Sequence, residues 1–149
     1  MIRDLPASLR SRAGFSLLEL LIALALVAIV VGIALPSYQG YMQRGRRSDA
    51  LDALYQLQQA ELRYRGFHAG YAAGLGDLQT PFAGGISRQG YYRLETGIPS
   101  GGQPASSYFI RATAVAGGAQ SGDSECRTIT LTQRQHTVTQ EPLPCWGKR

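Results

Sequence analysis

The chain carries three successive hydrophobic rhythms. From Phe15 to Leu35 it carries one charged side chain, Glu19, and residues 20–35 hold no charged or strongly polar group at all. As a helix rising about 1.5 Å per residue, this stretch is about 31 Å long, enough to cross the hydrocarbon core of a bilayer. Past Pro36 the pattern turns periodic. On a 3.6-residue wheel, Ala50, Ala53, Leu54, Leu57, Ala60 and Tyr64 share one side, with Leu51 and Leu62 at its edge. Ser48, Asp49, Asp52, Gln56, Gln59 and Arg63 share the other, and no proline or glycine falls between Arg46 and Arg65. One helix over residues 15–66 is predicted, running through Pro36, where a kink is expected, and stopping near Gly66. Its first half is apolar all round. Its second half, residues 42–66, presents a single stripe that needs a sheet to cover it.

Beyond the helix the period drops to two. Residues 90–96, 107–114 and 126–132 alternate in the manner of strands, with Ile129 and Leu131 opposite Thr128, Thr130 and Thr132. A weaker fourth strand is indicated at residues 136–139. The separators, 97–105 and 117–125, are dense in Gly, Ser and Pro. Residues 67–89, rich in glycine and alanine, read as a long ordered loop. The fold class is therefore α+β: a long N-terminal helix packed on a small antiparallel sheet of three or four strands, with residues 67–149 forming a head around the 42–66 spine.

Composition narrows the chemistry. The 149 residues allow one modest domain plus a segment outside it, and the formal charge of +5, or +3 without residues 1–14, is too mild to argue for nucleic acid by itself. Three arginines flank the apolar run on each side (Arg3, Arg10, Arg12 and Arg44, Arg46, Arg47), so charge does not set its orientation. The two cysteines, Cys126 and Cys145, read as a disulfide if the head lies in an oxidising compartment. Two independent buried thiols are the alternative, and the spacing lacks the close ligand pairs of a zinc site. No nucleophile–base pair, phosphate-cradling loop or cofactor signature is present, so no enzyme is predicted. His68 and His136 read as isolated surface residues. Asp123 and Glu125 read as a solvated turn, too few oxygens for calcium. Tyr91, Tyr92, Tyr108 and Phe109 should send one ring of each adjacent pair to each sheet face. An exposed ring beside Arg93 or Arg111 would suit stacking on single-stranded nucleic acid.

The heptapeptide Gly14-Phe15-Ser16-Leu17-Leu18-Glu19-Leu20, followed by the apolar helix with Pro36 near its end, resembles the class III signal of type IV pilins and pseudopilins. The resemblance implies a leader, residues 1–14, cut after Gly14 by a prepilin peptidase that also methylates Phe15. It implies that Glu19 neutralises the terminal amine of a neighbouring subunit, which makes it a registry device, since an unpaired buried charge is costly. Implied partners are other pilin subunits, the peptidase and the inner-membrane assembly machinery. The implied location is the bacterial inner membrane, single-pass with a periplasmic head, then an extracellular pilus. Within the family, the C-terminal Cys145-Trp146 layout resembles minor pilins of the PilE type. The expected function is thus a structural subunit supporting twitching, adhesion or DNA uptake, without a cofactor. A type II secretion pseudopilin, a DNA- or surface-binding receptor on the pilus, and a plain anchored protein are the rivals. Nucleic acid is the less favoured partner. Arg44, Arg46 and Arg47 read either as contacts for lipid phosphate or an acidic neighbour or as a solvated helix face. Residues 36–45, with Pro36, Gly40 and Gly45, are the stretch expected to loosen in a filament.

Overall fold

The computed structural model describes residues 14–147 and divides into two compact units, Met1–Gln39 and Gly40–Arg149. Apart from Gly14, the leader lies outside the described residues. Helix α1 spans Leu17–Phe67 with Pro36 inside it, and ends one residue past the expected stop. In the first unit its side chains are exposed, and an 18-residue window reaches a mean hydropathy of 2.9, long and apolar enough to cross a membrane.

The second unit builds an antiparallel meander. Strands β1 (Tyr92–Gly97), β2 (Ser107–Ala114), β3 (Thr128–Arg134) and β4 (Thr137–Glu141) lie in the order β1-β2-β3-β4. The second strand has the bounds read from alternation. The others shift by one or two residues, and the weak fourth strand is present. Alternation sends Tyr92 and Leu94, Tyr108 and Ile110, and Ile129 and Leu131 into one core with the α1 stripe of Ala50, Ala53, Leu54, Leu57 and Ala60. Tyr91 and Phe109, the other ring of each aromatic pair, are half-buried. The long loop is packed by its own side chains: Ala72, Leu78 and Phe82 are buried, and a 3-10 turn forms at Leu75–Leu78.

Cys126 and Cys145 form a disulfide with Cα atoms 5.8 Å apart, which fastens the 3-10 turn Leu143–Trp146 to the sheet. Trp146 is buried, its ring edge-on to Tyr55 at 5.7 Å.

Two features correct the sequence reading. Asp49, placed by the wheel on the polar side, is buried, because the loop before β1 supplies it with hydrogen-bond donors. Asp123 is only 3% exposed rather than solvated, because Arg47 supplies the compensating charge.

Candidate functional site

The head's polar chemistry gathers where the Gly40–Ala50 part of α1 meets two loops. Arg47 donates from Nε and Nη2 to the two carboxylate oxygens of Asp123, both at 2.8 Å, and from Nη2 to Glu125 at 3.1 Å. Burial alone would push the Asp123 carboxyl up; the fork of Arg47 more than offsets it and holds the group below the usual carboxylate range. The Asp123 hydrogen bonds raise the Arg47 guanidinium in turn. Asp123 also accepts from the Cys126 backbone N–H at 3.3 Å, so the clamp continues into the disulfide. Arg47 thus finds its acidic partners within its own chain, and the expected outward contact of this arginine is corrected accordingly. Gln120 completes the cluster, donating to the Tyr92 hydroxyl at 2.8 Å and to the Gln43 carbonyl at 3.2 Å.

Two residues further along α1, Asp49 holds the second loop. Its carboxylate accepts from Ser87 Oγ at 2.6 Å and from the Gln89 N–H at 3.0 Å, while Ser87 Oγ accepts from the Tyr92 N–H at 3.0 Å. The turn closes with the Gly90 N–H on the Ser87 carbonyl at 3.0 Å, and Gly90 has φ of 79°, a conformation side chains resist. Sequence reading missed Asp49 as an organiser; its one signal was a short carboxylate beside the apolar stripe.

Between this turn and α1 runs a groove of about 360 Å³ lined by Tyr41, Met42, Arg44, Arg46, Gln89 and Tyr91. The Arg46 guanidinium lies over the Tyr91 ring, 5.3 Å from its centroid, and Nη1 donates to the Ala119 carbonyl at 3.3 Å. Arg46 Nε is buried without a hydrogen-bond partner among the described residues. Arg44 is exposed. A second groove, of about 580 Å³, holds Arg63, Tyr64, Phe67, His68 and Asp77. There His68 stacks on Tyr64 at 3.8 Å and its Nδ1 lies 2.8 Å from the Tyr64 carbonyl, so this histidine is organised rather than free. On the outer sheet face, Arg111 pairs with Glu95 and covers Phe109 at 4.8 Å, leaving neither free to stack.

The fold also shifts the surface charge. Three carboxylates, Asp49, Glu61 and Asp123, are buried, whereas no described arginine is. Asp123 takes Arg47 with it, so it is the burial of Asp49 and Glu61 that leaves the head a more basic face than its composition suggests.

In the first unit, Phe15 is 76% exposed and Glu19 sits in a shallow apolar groove with Ser16, Leu18, Ile22 and Ala23.

Residues 36–130 match a family model described as "Type IV minor pilin ComP, DNA uptake sequence receptor". The chain belongs to this type IV minor pilin family. Residues 9–35 of this pilin match the prokaryotic N-terminal methylation motif, which contains Gly14, Phe15 and Glu19. It is 46% identical over 39 residues to the fimbrial protein EcpC of Eikenella corrodens, covering 26% of each chain. It is 43% identical over 42 residues to a fimbrial protein of Moraxella nonliquefaciens, covering 28% of this chain and 27% of that one. It is 47% identical over 38 residues to the type IV major pilin protein PilE1 of Neisseria gonorrhoeae, covering 26% and 23%. The pilin thus spans about a quarter of the length of these relatives, whereas the family model reaches across β1, β2 and into β3.

Proposed function

We propose that this pilin is a minor subunit of a type IV filament whose head contacts DNA during uptake. The observation that carries the reading is the pair of adjoining matches, a methylation motif over residues 9–35 and a DNA-receptor minor-pilin family over residues 36–130. In this account the chain is anchored in the inner membrane by α1 with the head outside, and the prepilin peptidase cuts after Gly14 and methylates Phe15. The assembly machinery then draws it among other pilins, Glu19 meeting the amine of a neighbour. A carboxylate in an apolar helix bundle is tolerated only beside such a positive group, which favours one stacking register. DNA moves from the less favoured partner to the leading one, because the family description and the burial of Asp49 and Glu61 point the same way.

The first test is mass spectrometry of the mature N-terminus in strains with and without the peptidase. The expected chain begins at N-methylated Phe15 only when the peptidase is present. An intact leader in both strains would remove the filament reading. Binding of labelled duplex DNA by the purified chain, falling steeply with salt, is the expected result for the receptor role.

A further inference from the structure

We propose that the groove between the 41–46 stretch of α1 and the 87–91 turn is a phosphate-binding site for the DNA backbone, with Arg44 and Arg46 as its charges. The proposal deepens the DNA-receptor reading and rests on it. Every residue lining the groove falls within the stretch that matches the DNA-receptor family, and none is a carboxylate. Arg47, the next arginine along, is neutralised by Asp123 and Glu125, whereas neither Arg44 nor Arg46 is in an ion pair among the described residues. Arg46 is held in place by stacking on Tyr91 and by the Ala119 carbonyl on Nη1, which leaves Nη2 without a hydrogen-bond partner among the described residues. A guanidinium with one edge fixed and a donor unspent is organised for an anionic oxygen.

The opposite wall is fixed. Asp49, Ser87 and the Tyr92 N–H form a relay that sets the turn carrying Gln89 and Tyr91, so little ordering is required on binding. Size decides what enters: about 360 Å³ takes a phosphate and part of its sugar, not a duplex. Such a contact positions DNA without reading its sequence. The larger groove is the weaker site for a phosphate. It contains Asp77 and lies at the C-terminal end of α1, where the helix dipole is negative.

The test uses the full chain in zwitterionic detergent and two labelled duplexes of unrelated sequence, with binding followed by anisotropy between 50 and 200 mM salt. Wild type should bind both. Arg44→Gln with Arg46→Gln should weaken both by a similar factor, about tenfold or more, and lower the salt slope by about 2, one counterion for each lost contact. Arg44→Gln alone, at an exposed position that cannot unfold the head, should lower the slope by about 1. Wild-type affinity and slope in the double variant would overturn the groove while leaving the receptor reading standing. No DNA binding by wild type at all would overturn both. Intact DNA binding, with loss of flotation on phosphatidylglycerol vesicles, would assign the groove to lipid and also overturn the proposal.

Discussion

Glu61 has no exposed surface, yet it accepts the Ala72 N–H at 2.9 Å and lies 2.6 Å from Thr96 Oγ1. That hydroxyl is also 2.9 Å from the Phe109 carbonyl, and its single proton cannot serve both acceptors. Both contacts are satisfied when Glu61 itself carries a proton and donates to Thr96, which then donates to Phe109. Burial pushes the Glu61 carboxyl up, in agreement with this arrangement. Because the folded value lies above the unfolded one, its contribution to stability is complete below about pH 4.5 and is lost as pH rises through the folded value. Glu61→Gln should flatten that decline in a pH series of urea unfolding, and an unchanged profile would sink the idea. Glu61→Ala should cost roughly 1–3 kcal/mol by stranding the buried Ala72 N–H. Asp123 behaves in the opposite sense. Its folded value is depressed, so its contribution is present above its unfolded value near pH 4 and is lost as pH falls through the folded one. Arg47→Ala should cost about 3 kcal/mol at pH 7, since it leaves a buried carboxylate unpaired. The deficit should shrink in acid, and an equal deficit at pH 3 and pH 7 would refute the pairing as its source.

At the scale of elements, the disulfide and the 3-10 turn Leu143–Trp146 act together. Closing a loop of about twenty residues contributes about 3 kcal/mol in the chain-entropy account. Replacing both cysteines with serine should lower stability by about that amount. It should also shift the emission of Trp146, the single tryptophan, to the red as it leaves its place against Tyr55. Unmoved emission would mean that packing alone holds the tail. Within α1, residues 36–45 combine Pro36 with Gly40 and Gly45, each glycine costing about 1 kcal/mol relative to alanine. Hydrogen exchange on assembled filaments should find these amides the least protected of the helix; full protection there would exclude local loosening.

For the whole molecule, Glu19 and the head answer to different environments. Glu19→Ala should leave membrane insertion and the folded head intact while removing the subunit from sheared filaments. Normal incorporation would make Glu19 incidental and the chain a plain anchored protein. The groove variants should do the reverse, assembling normally while DNA uptake falls.

Periodicity is a local property, so the amino-acid sequence by itself determined the elements: an apolar helix, its amphipathic continuation, an antiparallel sheet and the processing motif around Gly14. The β2 bounds and the core stripe from Ala50 to Ala60 are legible for the same reason. Only the tertiary structure decided the fate of the polar residues. Asp49 looks solvated on a wheel and Asp123 in a turn, and Glu61 falls on the apolar stripe without a visible partner, but donors from residues 11 to 76 positions away make their burial tolerable. Whether an arginine is spent or free is decided in the same way. Arg47 and Arg46 are neighbours in sequence. The fold gives one a buried carboxylate and the other a tyrosine face beside an open groove, because pairing depends on which loops return to the helix.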